Sequence, residues 1–75
     1  MDMREEIKEI IDEINPGMDL EADDLNLGED LSSMDIIALI DELEDRFDIE
    51  ITMQEKTEEN FQNLDTLCAM IERLQ

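Results

Sequence analysis

Three stretches of this 75-residue chain repeat apolar residues at intervals of three and four positions. That spacing places apolar side chains along one face of an α-helix and leaves acidic side chains on the opposite face. A chain this short can bury little apolar surface, so its helices must pack these faces against one another. Because the second stripe covers more than one face, we expect its helix to be the most buried. The stripes are Met3, Ile7, Ile10, Ile11 and Ile14; Ile36, Ile37, Leu39, Ile40, Leu43 and Phe47; and Leu64, Leu67, Cys68, Ile71 and Leu74.

Capping residues mark the ends of these helices. Asp2 can cap the first helix, and Asn15-Pro16-Gly17 stops it. Ser32 fits the N-cap position of a second helix that runs from about Ser33 to Phe47. Asp35, three residues after Ser32, can help to satisfy the first free amides of that helix.

The connecting segments complete the predicted fold. Residues 15–32 lack a helical period, so we expect an ordered loop that crosses the bundle and is held by its leucines. Residues 48–52 predict a short extended link, residues 53–61 a short third helix or turn, and Asn63 a cap for the final helix. The chain is therefore predicted to be one all-α domain over residues 1–75. It is a four-helix bundle of three longer helices and one short helix, with a long loop between helices one and two. The loop leucines are Leu20, Leu25, Leu27 and Leu31.

Charge limits the classes of partner. The chain has 24 acidic and 5 basic residues, a net charge of −19, and 14 acids without any Lys or Arg from Glu9 through Asp45. This field repels nucleic acids and anionic lipids and attracts proteins with basic surfaces. With no His and one Cys, neither an internal disulfide nor a zinc site is expected. Without a signal peptide or a membrane-length apolar run, we expect a cytoplasmic monomer that does not insert into membranes.

The Ser33 hydroxyl lies where the acidic run ends and an apolar helix begins. Ser33 is the first helical residue of the predicted second helix, beside the positive end of its dipole, which would favour an attached phosphate. No base, metal ligand or glycine-rich cradle accompanies Ser33, so the chain cannot activate this hydroxyl by itself. We therefore expect a residue that another protein modifies, and we do not expect an enzyme.

The run from Ser33 to Ile51 resembles the acyl carrier protein family. It reads Ser33-Met-Asp-Ile-Ile-Ala-Leu-Ile-Asp-Glu-Leu-Glu-Asp-Arg-Phe-Asp-Ile-Glu-Ile51. Phe47 lies fourteen residues after the serine, and Ile51 lies four after Phe47, as in the family pattern. Ser32 replaces the usual acid before the serine, Gly28 lies further upstream than the usual glycine, and Ala38 replaces a common Glu. These departures indicate a specialised member.

The resemblance implies an acyl-carrier-like four-helix bundle and a mechanism. A phosphopantetheinyl transferase would attach 4′-phosphopantetheine from coenzyme A to Ser33, making a phosphoprotein that carries thioesters in fatty-acid or secondary-metabolite biosynthesis. Acyl- or aminoacyl-loading and biosynthetic enzymes with basic docking surfaces would be its other partners. The residues that the resemblance assigns to docking are Met34, Asp35, Ile37, Asp41, Glu42, Glu44 and Asp45.

Several alternatives stay open at the level of sequence. An acidic adaptor or nucleic-acid mimic could use the same negative surface without covalent modification. Ser32 is the rival attachment residue, because only the helix register separates the two serines. Ile37 fits core or surface equally, whereas Met34 is expected to be exposed and Cys68 to be buried. The cargo, the pathway and any sequestration of an acyl chain in the core are undetermined.

Overall fold

The computed structural model describes residues 2–75, which form four α-helices and no β-strand. These are α1, Met3–Ile14; α2, Leu27–Asp30; α3, Ser33–Phe47; and α4, Leu64–Leu74; one turn of 3₁₀ helix, Met53–Glu55, lies between α3 and α4. The predicted all-helical class and the bounds of the three long helices are therefore confirmed. Helix α1 packs against both α3 and α4.

The predicted caps Asp2, Ser32 and Asn63 form, but among the described residues the Asp35 carboxylate accepts no bond from an amide of the first turn of α3, so its predicted part in the cap is wrong. The Asp2 carboxylate accepts a hydrogen bond from the Glu5 amide at 2.9 Å, and α1 ends before Asn15, with Gly17 at a φ of 88°. At the start of α4, Asn63 and Thr66 each accept a hydrogen bond from the other's amide. These contacts satisfy amides that lack partners within the first helical turn.

One core joins the helices to the irregular segments. Three leucines from the first connection enter it, as do Ile51 and Phe61 from the second, so both connections are anchored by buried side chains. Backbone bonds then join the two connections directly, because the amides of Leu27 and Gly28 donate to the carbonyls of Gln62 and Phe61 at 2.9 Å. The buried residues are Ile7, Ile10, Ile11, Leu25, Leu27, Leu31, Leu39, Leu43, Ile51, Phe61, Leu64, Leu67, Met70 and Ile71.

Two expectations about the helices need correction. The short α-helix is α2, inside the first connection, and not a third helix after Ile51; of the two alternatives for residues 53–61, the structure has the turn, a 3₁₀ turn at Met53–Glu55. Helix α3 is also not the most buried, since it buries two side chains, Leu39 and Leu43, whereas α1 buries three and α4 buries four. The physical reason is the central place of α1: one flank of α3 faces residues 56–61 and leaves Ile36 and Ile40 only partly covered.

Basic side chains fasten the irregular segments to the helices. The Arg4 guanidinium donates to the Glu21 carboxylate, with Nη1 and Oε2 2.9 Å apart, and the Lys8 ammonium lies 3.6 Å from the same Oε2. These contacts hold the first connection against α1. Arg73 of α4 donates to Glu55 in the 3₁₀ turn at 2.6 Å. Within residues 2–75, no helix is long and apolar enough to cross a lipid bilayer.

Candidate modification and docking site at α3

The two adjacent serines differ in what their hydroxyls do. Ser32 is the N-cap of α3, and its Oγ accepts a hydrogen bond from the Asp35 amide at 3.1 Å. Ser33 is the first residue of α3 and is exposed, and its hydroxyl bonds to no side chain or amide in the described part of the chain. Modification of Ser33 would leave the cap intact, whereas a substituent on Ser32 would crowd the capping oxygen. The geometry therefore favours Ser33 over its neighbour.

An exposed stripe runs from Ser33 along α3. Met34, Ile37, Asp41 and Asp45 follow one another at intervals of three and four residues, which places them on one face of the helix. Met34 is 75% exposed and Ile37 is 56% exposed, so the choice left open for Ile37 is resolved as surface. Over these eleven steps the stripe extends about 16 Å at 1.5 Å per residue. We call these four residues the α3 stripe.

Two other acids assigned to docking, Asp35 and Glu42, differ in how far they are exposed to solvent. Glu42 is exposed beside the α3 stripe, and Asp35 is half-buried in the first turn of the helix. Asp35 adds negative charge two residues from Ser33, whereas Glu42 adds it nine residues further along α3 than Ser33. Their assignment to docking stays a prediction.

Glu44 has a structural contact that the sequence did not indicate. Its carboxylate is partly buried and accepts a hydrogen bond from the Ile51 amide at 2.8 Å. This bond fastens the chain that leaves α3 back onto the helix, next to the αL residue Asp48. One oxygen of Glu44 is therefore engaged within the protein, and the assignment of this residue to docking stays a prediction.

A groove of about 190 Å³ lies along the flank of α3. Ile36 and Ile40 line it from α3, Phe61 lines it from the second connection, and residues 56–58 form the opposite rim. Sequence reasoning missed this groove because residues 53–61 show no period that would fix which side chains point inward. A wider groove of about 400 Å³ lies between α1 and residues 18–21 and shares no lining residue with it.

The rim of the groove is held by polar contacts. The Asn60 side-chain amide donates to the Glu55 carbonyl at 2.8 Å, and the Thr66 hydroxyl donates to the Asn60 carbonyl at 3.0 Å. Arg73 holds the Glu55 carboxylate from α4. The segment is thus fixed in one conformation although it is not helical. Met53, at the start of the 3₁₀ turn, is 85% exposed and was not singled out from the sequence.

The ionisable groups divide into paired and unpaired sets. Hydrogen bonding to Arg4 is the main cause that lowers the pKa of Glu21 to about 2, and the same contact raises the pKa of Arg4. Among the residues that the structure describes, Arg46 and Lys56 make no ion pair, and both are exposed. Arg46 follows Asp45 of the α3 stripe in the sequence, and Lys56 lines the groove together with Ile36 and Ile40.

Cys68 is partly buried on α4, not fully buried as expected. Burial is the main cause that raises the pKa of its thiol, with Asp65 adding to the effect. A raised pKa keeps the thiol protonated and weakly nucleophilic near neutral pH. The side chain therefore acts as a small apolar group at the edge of the core.

Comparisons with known proteins add no relative. No protein-family model matches the chain, and neither a curated protein nor a solved structure matches it. What stands is a small all-helical fold with an exposed serine at the start of an acidic helix. The link to acyl carrier proteins rests on the sequence pattern from Ser33 to Ile51.

Proposed function

We propose that this protein is an acyl or aminoacyl carrier with an acyl-carrier-like fold, working as a specialised member of that family in the cytoplasm. It would hold thioester-linked intermediates on a 4′-phosphopantetheine arm attached to Ser33. The observation that carries the proposal is the exposed, unengaged Ser33 hydroxyl at the start of α3, beside a cap supplied by Ser32.

The surroundings of Ser33 fit a phosphodiester. The first turn of an α-helix has free amides and a positive dipole end, which stabilise an attached phosphate. Asp35, the acid in that turn, is half-buried, and its amide is already bonded to Ser32. Met34 and Ile37 are exposed beside the serine, so bulk there meets no overlying segment.

This chain would accept the arm without activating its own hydroxyl. The Ser33 oxygen would bond to the phosphorus of the phosphopantetheine group as the pyrophosphate bond of coenzyme A breaks. Adenosine 3′,5′-bisphosphate would leave, and the serine proton would pass to a base on the transferase. When attached, the arm ends in a thiol that carries acyl groups as thioesters. The chain then contributes a rigid helix start and a surface that successive enzymes recognise.

The charge distribution supports brief binding to many enzymes. Asp41, Glu42 and Asp45 are exposed on α3, in a protein of net charge −19. Complementary charge raises association rates more than it raises affinity. Each exposed ion pair contributes only about 0.2–1 kcal/mol, which allows rapid release.

The test is enzymatic attachment of the arm. The protein is incubated with coenzyme A and a broad-specificity phosphopantetheinyl transferase, and its intact mass is measured. We expect one added phosphopantetheine group in the wild type and in Ser32→Ala, and none in Ser33→Ala. An unmodified wild type across several transferases, or modification that persists in Ser33→Ala, would reject the proposal.

A pull-down, read together with the mass measurement, separates the acidic adaptor from the carrier. An adaptor would bind basic proteins through its exposed acids, with strong salt dependence and no need for Ser33. If Ser33→Ala keeps every partner in a pull-down and the wild type is never modified, the adaptor is the better description.

A further inference from the structure

Residues 52–60, between α3 and α4, contain no buried side chain. The residues that flank this stretch, Ile51 and Phe61, are buried, at 3% and 4% exposure. Between them, Glu55 and Asn60 are half-buried and the other seven residues are exposed. We call residues 52–60 the strap. Because the strap can leave its place without carrying a buried side chain into water, the free energy of its opening depends on polar contacts.

Polar contacts fasten the strap to α4 at two places. The Arg73 guanidinium donates to the Glu55 carboxylate, with Nη2 and Oε1 2.6 Å apart. The Thr66 hydroxyl is shared between the carbonyls of Asn60 and Asn63, at 3.0 and 2.9 Å, so its bond to the strap is the weaker contact. Within residues 2–75, the pair of Arg73 and Glu55 is the only ion pair that joins the strap to the rest of the protein.

The strap forms one wall of the groove beside α3. Residues 56–58, which lie between the two fastened residues Glu55 and Asn60, line the groove together with Ile36 and Ile40. Both isoleucines are only partly buried. Helix α4 contributes no lining residue, so its contacts act on the groove through the strap. Opening of the strap would remove this wall and expose the two isoleucines further.

The ion pair that fastens the strap costs little to break. The side chains of Arg73 and Glu55 are 52% and 23% exposed, and ion pairs in contact with water are weak and are screened by salt. The strap carries three acids, Glu55, Glu58 and Glu59, and one base, Lys56, in a chain of net charge −19. Repulsion between these acids and the rest of the chain therefore favours the opened strap once the pair breaks.

We propose that the strap opens as a local unit while the helices stay folded, and that the pair of Arg73 and Glu55 is the latch that sets the open fraction. Opening uncovers Ile36 and Ile40 and converts the groove of about 190 Å³ into an open apolar face. Arg73 is thus a positioning residue, which controls access to the groove from a helix that does not line it. This inference concerns contacts within the chain and does not depend on the carrier function.

The experiment measures amide hydrogen exchange by NMR in the wild type, Arg73→Ala, Arg73→Lys and Arg46→Ala. The reporter is the Phe61 amide, which donates to the Thr57 carbonyl of the strap at 3.1 Å. We expect Arg73→Ala to raise its exchange rate about fivefold, and to do so less at high salt. Arg73→Lys keeps the charge near the strap, and Arg46→Ala removes a charge that makes no ion pair within residues 2–75, so both should stay within about twofold.

The dependence of exchange on urea separates local opening from global unfolding. Opening of the strap exposes little surface, so the exchange rate of the Phe61 amide should hardly change at low urea concentrations. Core amides, such as that of Leu67 in α4, need global unfolding, and their rates should rise steeply with urea.

A second measurement reports on the groove itself. The probe is N-phenyl-1-naphthylamine, a neutral apolar dye, because the net charge of −19 would repel an anionic one. Its affinity should follow the open fraction of the strap, so we expect about fivefold tighter binding to Arg73→Ala than to Arg46→Ala. The wider groove between α1 and residues 18–21 shares no lining residue with this one and should bind the dye equally in all variants.

Three results would overturn the inference. If the Phe61 amide exchanges at the same rate in Arg73→Ala and Arg46→Ala, Arg73 is not the latch. If its rate rises with urea as steeply as that of Leu67, the strap does not open as a separate unit. If exchange is faster in Arg73→Ala but dye binding is unchanged, opening does not uncover the groove. The carrier function is unaffected by each of these results, since it is tested by the intact mass.

Discussion

Replacing Glu44 tests whether one acid of α3 is structural while its neighbours are not. In Glu44→Ala the Ile51 amide loses its acceptor, and Ile51 is 3% exposed, so water replaces the carboxylate poorly. A hydrogen bond to a charged group contributes about 1.5–3 kcal/mol. Removing one negative charge from a chain of net charge −19 reduces charge repulsion, which stabilises the folded state. Exposed charge pairs contribute about 0.2–1 kcal/mol, so we expect this gain to offset only a few tenths of 1 kcal/mol of the loss. We therefore expect the free energy of unfolding to fall by about 1.5–2 kcal/mol.

Two further variants divide this loss into its parts. Glu44→Gln keeps an oxygen acceptor but not its charge, so a loss of about 0.5–1 kcal/mol is expected. Asp45→Ala removes the same charge at an exposed position and should change stability by less than about 0.5 kcal/mol.

The assay is urea unfolding followed by far-ultraviolet circular dichroism, because the chain has neither Trp nor Tyr. The slope of free energy against urea should be equal for all variants. If Glu44→Ala is as stable as Asp45→Ala, the bond to Ile51 contributes nothing to stability and Glu44 has no structural role.

Three other predictions concern caps, backbone and pH. In thermal melts, Ser32→Ala should lose about 1 kcal/mol of stability because it removes the N-cap of α3. Ser33→Ala should change stability by less than about 0.5 kcal/mol. Equal losses in the two variants would contradict the assigned helix register. Asp48 has a φ of 54°, so Asp48→Gly should stabilise by about 0.5–1 kcal/mol in the same melts, and a loss would show that the Asp side chain has a role of its own. The Glu21 pKa is lowered from 4.5 to about 2 in the folded protein. The stability that Glu21 gains from Arg4 is therefore complete above pH 4.5 and is lost as the pH falls towards 2. The difference in unfolding free energy between wild type and Glu21→Gln should shrink over that range, and a constant difference would refute the linkage.

The long helices could be predicted because their signals are local and repeated. Periodic apolar residues and the caps Asp2, Ser32 and Asn63 fixed where α1, α3 and α4 begin. Helix α2 was missed because four residues are too few to show a period.

Burial and side-chain contacts were harder to predict because they depend on residues far apart in the sequence. Ile37 fitted core and surface equally by its spacing, and the structure, in which α1 packs against α3, leaves it on the surface. The bond from Ile51 to Glu44 and the exposure of Met53 depend on how the chain turns after α3, where no periodic signal exists. At the candidate site, the position of Ser33 at the start of α3 and the exposure of Met34 could be predicted, whereas the opposite wall of the groove could not.

The bonds from Leu27 and Gly28 to the carbonyls of Gln62 and Phe61 have a consequence for motion. They couple α2, which ends two residues before the N-cap of α3, to the segment that leads into α4. Local opening of either segment would break the same two bonds. The two segments should therefore open together, and their amides should exchange hydrogen at similar rates. A disturbance near Phe61 would thereby reach the residues that hold Ser33 in place.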